Sequence, residues 1–262
     1  MSEGDSPVDD RVTVDVQSVD DGRVAVVTFG HGRNNYLTFD LVDELASTFE
    51  RVAAQGSRAI VLRSQGRHFC AGAKFTGSRE KNTTAPHVFD VVPRLFQQPL
   101  PMIAVVQGAA IGAGLGLALA ADFRVAAPET YFLANFNRLG ISPGFGLSVT
   151  LPRLVGGQFS ADMFYSARRV GGEEAVTRGL ADRLVEPDAQ LATAIEWATQ
   201  IATSSPVAVQ TTRRSLRADV NDAIASILHG ERELQDPMLA SPDFAEGVAA
   251  WRDKRRPQFS GD

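Results

Sequence analysis

The first half of the chain alternates short apolar runs with amphipathic segments, and after Gly144 the pattern becomes almost entirely helical. Two runs rich in β-branched residues, Val12–Val19 and Val24–Phe29, flank the turn residues Asp20-Asp21-Gly22 and predict a hairpin. Apolar runs of strand length predict further strands. These are Ala59–Arg63, Met102–Val106, Phe123–Ala126 and Tyr131–Ala134.

Apolar residues at helical spacing predict the helices. Thr38 stands directly before the first such segment and is a predicted N-cap. Strand–helix alternation followed by helices alone predicts an α/β core over residues 11–200, a helical C-terminal region over residues 201–262 and a disordered tail over residues 1–10. The other predicted helices are His87–Gln97, Leu115–Ala121, Phe145–Leu154, Ala161–Ala167, Glu173–Gly179, Gln190–Ser204, Val207–Leu216, Asn221–Leu234 and Phe244–Lys254.

Composition narrows the class of protein. The 262 residues are 44% hydrophobic and carry a net charge of −5, which argues against a nucleic-acid partner because duplex binding depends on a concentrated basic surface. A single cysteine, Cys70, excludes an internal disulfide framework and favours a reducing, cytoplasmic location. The longest apolar stretch, Ala109–Ala121, is interrupted by glycines and is too short to span a bilayer, so we expect no membrane insertion.

A glycine-rich turn, Gly112–Gly116 (GAGLG), follows a predicted strand and invites more than one interpretation. As a dinucleotide-binding fingerprint it is incomplete, because Leu117 stands at the third small position and the acidic Glu129 lies in a turn. A simple tight turn does not explain why three glycines precede a helix. The interpretation that fits best is a helix start whose backbone N–H groups face a developing negative charge.

Motifs over nearly the whole chain after residue 11 resemble the enoyl-CoA hydratase/isomerase (crotonase) family. The main segments are Arg67–Ala73 (RHFCAGA) and Met102–Gly114 (MIAVVQGAAIGAG). Each further match is weak alone, but the set follows the family's order and spacing. These matches are Ala121-Asp122, Leu139–Ile141, Pro143-Gly144, Gly179–Asp182 and Phe244–Phe259.

The resemblance implies a spiral of ββα units followed by a helical trimerisation region, assembled as trimers or dimers of trimers. It also implies that the thioester carbonyl of an acyl-CoA substrate lies between the backbone N–H groups of Ala73 and Ala113. Charge collects on that oxygen when an enolate forms, and preformed donors stabilise it. Many family members have glycine in place of Ala113, and alanine keeps the N–H. Coenzyme A enters as part of the substrate, so we expect no separate cofactor and no metal.

For the CoA portion, the resemblance implies that Arg33 lies near the phosphates and the backbone around Ala71 near the adenine. Lys254 and Phe259 of a neighbouring subunit would close the nucleotide pocket. A phosphate-bearing ligand on an acidic protein needs local cations, which Arg33 and the basic run that begins at Lys254 can supply. That run also suits an ordinary solvated helix end. The remaining expected substrate contacts are Ala73, Lys74, Gly112, Ala113, Phe136, Leu139 and Pro143.

Two positions depart from the family pattern. Hydration of an enoyl thioester requires one group to activate water and another to deliver a proton. The hydratases use glutamates at the positions held here by Gly116 and Phe136, neither of which can carry a proton. Standard hydration and glutamate-dependent isomerisation are therefore disfavoured. Gly116 removes bulk, Phe136 adds an apolar face, and Asn135 and Asn137 bracket it with neutral amides, so we expect a less polar cleft that accepts a bulky acyl group.

Another proton carrier is sought in the stretch after the first oxyanion segment, which commonly lines the acyl pocket in this family. Lys74 stands where family members often have aspartate, although a surface loop would also accommodate it. His87 and Asp90 would share one face of a predicted helix, which simple solvation also explains. The candidates are Lys74, Glu80, His87 and Asp90. Residues assigned to structural hydrogen bonding or packing are His68, Asp122 and Cys70.

The leading functional hypothesis is an enzyme that stabilises an acyl-CoA enolate. Its reaction would be isomerisation, decarboxylation, hydrolysis or hydration of an unusual substrate. A second hypothesis is a catalytically silent acyl-CoA-binding protein, which the missing glutamates favour and the retained oxyanion segments oppose. A third, a nucleotide-cofactor oxidoreductase, is disfavoured by Leu117.

Overall fold

The computed structural model of the protein describes residues 11–74 and 87–261. The strands are β1 (Val12–Val19), β2 (Val24–His31), β3 (Ala59–Ser64), β4 (Met102–Val106), β5 (Ala109–Ile111), β6 (Phe123–Ala126), β7 (Tyr131–Leu133), β8 (Arg169–Gly171) and β9 (Arg183–Leu184). The helices are α1 (Phe39–Ala54), α2 (Val88–Gln97), α3 (Ala113–Ala120), α4 (Leu147–Val155), α5 (Gly157–Ser166), α6 (Gly172–Thr177), α7 (Gln190–Ala202), α8 (Pro206–Leu239) and α9 (Pro242–Arg252). Short 3₁₀ helices cover Asn137–Leu139 and Pro187–Ala189.

The strands form two sheets. In the larger sheet β1 pairs antiparallel with β2, and β2, β3, β4, β6 and β9 follow in parallel. In the smaller sheet β5 runs parallel to β7, and β7 is antiparallel to β8. The chain passes from one sheet to the other at Gly108, between β4 and β5. This switch places β5 and the helix that follows it beside the loop after β3.

Alternate residues of the central strands enter different cores, as the twofold side-chain period of a strand requires. Val61 and Ile103 pack with Ala198 of α7 on one face. Ile60 and Met102 belong to the larger core, which includes the apolar residues of α1, α2 and α3. Burial on both faces explains why these strands appear as continuous apolar runs, and the strands predicted from those runs are confirmed.

Thr38 caps α1 as predicted, since its hydroxyl oxygen accepts a hydrogen bond from the N–H of Leu41 at 3.3 Å. The predicted start of α3 was wrong, because the helix begins at Ala113 rather than Leu115. The earlier start matters for function, because the first N–H groups of a helix have no partner within the helix.

The helices predicted at Val207–Leu216 and Asn221–Leu234 are one continuous helix, α8. The polar stretch between them contains no glycine or proline, and Arg217 within it binds the carboxylate of Asp122 instead of ending the helix. Ile224 and Leu228 of α8 belong to the main core. The division of the chain into two regions at residue 200 stays a prediction. Within the described ranges, no helix is both long and apolar enough to cross a bilayer.

Glu231 joins α8 to the start of α4. Its carboxylate accepts hydrogen bonds from the N–H of Gly146 at 3.0 Å and from the hydroxyl of Ser148 at 2.5 Å. The side chain is buried, and burial raises the pKa of this carboxyl above its ordinary value although both hydrogen bonds oppose the rise. The buried carboxylate therefore costs more in the folded than in the unfolded chain once it ionises.

Glu231→Gln is expected to gain stability relative to the wild type as the pH rises. A carboxyl whose folded pKa is raised contributes stability fully below its unfolded pKa and loses it as pH increases through the folded pKa. Glutamine keeps an acceptor for Gly146 and a donor for Ser148, and it cannot ionise. Chemical denaturation at a fixed protein concentration measures the difference. The pH is varied from about 4, near the ordinary pKa of a carboxyl group, to about 8. Glu233→Gln, which removes the same charge from an exposed site on α8, is the control, and a difference between Glu231→Gln and wild type that does not change with pH would contradict the prediction.

Candidate functional site

Two backbone segments run side by side at the junction of the sheets. The N–H of Phe69 donates to the carbonyl of Gln107 at 2.8 Å, and the N–H of Cys70 donates to the carbonyl of Ala109 at 3.0 Å. The N–H of Ile111 returns a bond of 3.0 Å to the carbonyl of Cys70. Cys70 pairs with Ala110 in a parallel bridge, and Ala73 and Ala113 each lie three residues beyond it; Ala73 itself pairs with Leu37.

The amides of Ala73 and Ala113 are left open by the surrounding hydrogen bonds. Two N–H groups near Ala73 in this loop are used, since Ala71 donates to the carbonyl of Asn34 at 3.0 Å and Lys74 donates to the carbonyl of Leu37 at 2.9 Å. Ala113 is the first residue of α3, where an N–H has no carbonyl within the helix. Both alanines are half-buried, and within the described residues neither amide donates a hydrogen bond. Their joint action on a single oxygen stays a prediction.

Glycines allow the two segments to approach this closely. Gly112 has φ 53° and ψ −119°, a backbone conformation that residues with a side chain rarely adopt. A Cβ on Gly114 would lie 2.5 Å from the carbonyl oxygen of Cys70. The backbone conformation of Gly112 and the close contact at Gly114 explain two of the three glycines around the start of α3. Cys70 is fully buried in the same contact, and burial raises the pKa of its thiol to about 12, so its assignment to packing is confirmed.

Asn35 fixes the loop that carries the first segment, and sequence reasoning missed it. Its side chain accepts from the N–H of His31 at 3.0 Å and donates to the carbonyls of Gln65 and His68 at 2.7 and 2.8 Å. Asn35 is buried and has φ 53°, a conformation that asparagine tolerates better than most residues. The pair Asn34-Asn35 after a strand was the available signal, but it shows only a turn and not the contacts made across it.

The comparisons with known proteins agree with this arrangement. The family profile of enoyl-CoA hydratase/isomerase matches residues 20–262. The chain belongs to the enoyl-CoA hydratase/isomerase family. It is 34% identical over 229 residues to a probable enoyl-CoA hydratase of Mycobacterium tuberculosis, covering 87% of this chain and 92% of that protein. It is also 34% identical over 233 residues to the 2,3-dehydroadipyl-CoA hydratase of Escherichia coli, covering 87% of this chain and 89% of that protein.

The crotonase fold predicted from the motifs is confirmed by solved structures. The crystal structure of an enoyl-CoA hydratase/isomerase from Pseudoalteromonas atlantica superposes with a TM-score of 0.84 at 29% identity, covering 94% of this chain and 99% of that one. The chain therefore belongs to the crotonase family of acyl-CoA enzymes. Gly116 and Phe136 are the two positions at which the sequence analysis expects a departure from the hydratases.

The first of these positions, Gly116, faces an aromatic ring. A Cβ on Gly116 would lie 2.7 Å from Cδ1 of Phe145 and 3.0 Å from its Cβ. Phe145 is fully buried and has φ 61°, between two glycines. The expectation that Gly116 removes bulk was wrong, because the Phe145 ring fills the space that a side chain at 116 would take. A glutamate at this position would collide with that ring.

The second position, Phe136, is buried at the start of the 3₁₀ helix Asn137–Leu139. Its ring packs edge-on against Phe164 with 6.5 Å between centroids, and its Cζ would lie 3.9 Å from a Cβ on Gly112. The predicted apolar face beside the oxyanion segment is therefore present. Only one of the two neighbouring amides flanks it, since Asn135 is buried with Oδ1 3.2 Å from the same Cβ position whereas Asn137 is exposed.

The proposed proton carriers after the first oxyanion segment receive limited support. His87 is the N-cap of α2 and not a helix residue, so the expected shared helix face was wrong. Its Nδ1 accepts from the N–H of Phe89 at 3.0 Å, and Asp90 accepts from the N–H of His87 at 2.9 Å. Both side chains thus serve the start of α2. Lys74 is half-buried and follows Ala73 in the chain. Glu80 lies outside the described residues, and so does the predicted disordered tail 1–10.

The structural assignment of Asp122 is confirmed. Its carboxylate accepts from the N–H of Met102 at 2.8 Å and binds Arg213 at 2.8 Å and Arg217 at 3.1 Å. The side chain of His68 does not make the expected structural hydrogen bond. Its backbone carbonyl accepts hydrogen bonds from the side chains of Asn35 and Ser64 instead. Its ring Nδ1 is buried without a partner in the described part of the chain, and burial lowers the pKa of the imidazole.

The residues expected near coenzyme A lie in two regions. Arg33 is exposed in the loop after β2, and the N–H of Ala71 already donates to Asn34, so the Ala71 backbone can offer the adenine only its carbonyl. Lys254 and Phe259 are exposed after α9. Leu139 is buried, with its backbone against Gly247 of α9, and Pro143 is half-buried. Their contacts with a substrate stay predictions.

Gly116 and Phe145 are expected to be coupled in stability. Gly116→Ala should lower the free energy of unfolding by roughly 1–3 kcal/mol, because its methyl group overpacks against the Phe145 ring. Phe145→Ala should lower it by about 3–5 kcal/mol through the cavity it leaves. In the Phe145→Ala background, Gly116→Ala should become neutral or stabilising, since alanine in a helix is favoured over glycine by about 0.5–1 kcal/mol.

Chemical denaturation of the wild type, both single variants and the double variant measures this coupling. Gly230→Ala is the matched control, because Gly230 lies inside α8 and a Cβ there would meet no atom within 4 Å. The control should have the same effect with phenylalanine or alanine at 145. Additive effects of Gly116→Ala and Phe145→Ala would contradict the contact.

Proposed function

We propose that the protein binds an acyl-CoA thioester with its carbonyl oxygen between the N–H groups of Ala73 and Ala113, and that it processes the substrate through an enolate. The observation that carries this proposal is that two segments joined at the Cys70–Ala110 bridge each have, three residues further on, a backbone N–H that donates no hydrogen bond within the described residues. The helix dipole of α3 adds positive potential at Ala113. Each such donor typically contributes about 3 kcal/mol to stabilising the developing charge.

The reaction we propose does not rely on a pair of protein carboxylates. The Phe145 ring excludes a carboxylate from position 116, and Phe136 presents an aromatic ring at the other position. Asn135 offers a neutral amide there: its side chain is buried and makes no hydrogen bond within the part of the chain that is described. Chemistry that forms an enolate without a carboxylate base fits this site, and decarboxylation is an example because the electrons come from the breaking C–C bond. Isomerisation or hydrolysis would need a different proton carrier.

A silent acyl-CoA-binding protein is the second candidate. The loss of both glutamates favours it, since a protein that only binds needs neither. The retention of unpaired amides beside a helix start opposes it, because donors aimed at a carbonyl oxygen contribute more to an enolate than to a ground-state thioester. Turnover of any acyl-CoA by the wild type would decide for the enzyme.

For the rest of the ligand, we propose that Arg33 and Lys254 contact the phosphates and that Phe259 lies against the adenine. All three side chains are exposed, and within the described residues Arg33 and Lys254 form no salt bridge. We also propose self-association as a trimer or a dimer of trimers in the cytoplasm, with coenzyme A entering only as part of the substrate.

Ala113→Pro is expected to abolish enolate formation. Acetoacetyl-CoA acquires an ultraviolet band when it ionises to its enolate, so the band should rise when the wild type binds it. Proline lacks the N–H but suits the first position of a helix, so α3 should persist. Loss of one donor should reduce the enolate fraction by about 10²-fold or more. Ala113→Gly keeps the N–H and is the matched control. An undiminished band in a folded Ala113→Pro protein would exclude the proposed role of Ala113.

Hydration of crotonyl-CoA is expected to be very slow. General acid and general base each contribute about 10²–10⁴-fold, so the rate should fall at least about 10⁴-fold below that of a hydratase that retains both glutamates, assayed in parallel. Decay of the absorbance of the conjugated thioester measures it. Hydration at the rate of the parallel hydratase would refute the argument from Gly116 and Phe136.

A further inference from the structure

The C-terminal segment 255–261 is fixed to α9 by two carboxylates. Glu246 accepts from both terminal nitrogens of the Arg255 guanidinium, at 2.5 and 2.8 Å, and from the N–H of Gln258 at 2.7 Å. Asp243 accepts from the N–H of Ser260 at 2.7 Å and from the N–H of Gly261 at 3.1 Å. We call this set of contacts the tail clamp.

The tail clamp has an unusual composition for a surface segment. Its carboxylates bind the backbone amides of Gln258, Ser260 and Gly261, and hydrogen bonds to an ionised acceptor are stronger than neutral ones. The Arg255 contact lowers the pKa of Glu246 to about 2, so this acceptor is charged throughout the range in which the protein is assayed. A tail held in this way keeps one conformation although its side chains are exposed.

Helix α9, which carries the carboxylates of the tail clamp, also packs on the chain after Phe136. Gly140 and Gly247 show how closely α9 packs on the chain after Phe136: a Cβ on Gly140 would lie 2.8 Å from the backbone of Asp243, and one on Gly247 would lie 2.6 Å from the backbone of Leu139. The position of the tail is therefore set by the same helix that supports the 3₁₀ helix beside the oxyanion segments.

The side chains left exposed by the clamp suit a nucleotide. Lys254 and Arg256 form no salt bridge within residues 11–74 and 87–261, while Arg255 between them is neutralised by Glu246. Phe259 stands between the two clamped positions Gln258 and Ser260, with 43% of its surface exposed. An aromatic face beside free cations is the chemistry that recognises a purine and its phosphates.

We propose that Asp243 and Glu246 are positioning residues that hold the tail so that Lys254, Arg256 and Phe259 receive the nucleotide of the acyl-CoA. This inference rests on the proposed function, since it assigns a support for the nucleotide end of that ligand. The carboxylates act through the tail and do not touch the ligand.

The positioning role is testable, because the charge of the two carboxylates alone would change the affinity for the nucleotide in the opposite direction. Removing a carboxylate near a polyphosphate reduces repulsion and should by itself tighten binding. Loss of the clamp should weaken binding instead. The Asp243→Asn/Glu246→Gln double variant separates the two effects. Asp253→Asn is the matched control, because Asp253 lies beside the same segment and pairs with Arg252 and Arg255 without accepting from a tail amide.

The experiment compares acetoacetyl-CoA with acetoacetyl-pantetheine, which has the same acyl end and no nucleotide, by titrating the enolate band of the full-length protein. The double variant should raise the dissociation constant for acetoacetyl-CoA by about fivefold to tenfold, as expected when charge-assisted hydrogen bonds are lost. Its dissociation constant for acetoacetyl-pantetheine should not change. The Asp253→Asn control should bind acetoacetyl-CoA as tightly as the wild type or more tightly.

An unchanged affinity of the double variant for acetoacetyl-CoA, or an equal loss for both thioesters, would overturn the inference. If the double variant folds poorly, the single variant Asp243→Asn, which leaves the Arg255–Glu246 contact and Phe259 in place, keeps the test decisive. Its dissociation constant should rise for acetoacetyl-CoA alone, and an unchanged dissociation constant for acetoacetyl-CoA would count against the clamp. A wild type that shows no enolate band with either thioester would instead refute the proposed function, so the two failures are distinguishable.

Discussion

The parallel contact between residues 69–70 and 107–111 is the constraint on which the proposed site depends. Two unpaired amides can lie together only if two backbones approach more closely than side chains normally allow. Gly114 permits this approach, because a Cβ there would overlap the carbonyl of Cys70. Gly112 supplies the backbone conformation that begins α3 at Ala113 and leaves its N–H without a helical partner. The proposed donors are main-chain N–H groups, so alanine at 73 and 113 is compatible with the proposed chemistry.

The packing around this contact leaves no space for a carboxylate side chain at position 116. Phe145 adopts a left-handed conformation and places its ring where a side chain at 116 would extend. Gly116 and Phe145 therefore depend on each other: a larger residue at 116 meets the ring, and a smaller one at 145 leaves a cavity. A single substitution cannot bring back the carboxylate at this position without disturbing the core. The apolar character of the site is a property of the fold rather than of one residue.

Local periodicity predicted β1–β4, β6 and β7, the Thr38 cap and the glycine-rich turn because each depends on residues close in sequence, whereas the short strands β5, β8 and β9 were missed. The family motifs supplied the fold and the positions of the amides. The filling of position 116 could not be predicted, since Gly116 and Phe145 are separated by 29 positions (145 − 116) and their contact is visible only in three dimensions. The role of Asn35 was missed for the same reason, since its hydrogen-bond partners Gln65 and His68 lie on another loop. The continuity of α8 was missed because its polar middle is satisfied by Asp122, a residue far away in the chain.

The charges of the protein divide the recognition of an acyl-CoA into two physical problems. A net charge of −5 repels a polyphosphate, and cations such as Arg94, Arg124 and Arg168 are committed to ion pairs with neighbouring carboxylates. Cations without such partners, Arg33 and Lys254 among them in the described ranges, must therefore compensate locally. At the acyl end no net charge is required, because oriented amides and a helix terminus supply the potential. Under the proposed function, separating the two tasks would allow an acidic protein to bind an anionic ligand while its reactive end stays apolar.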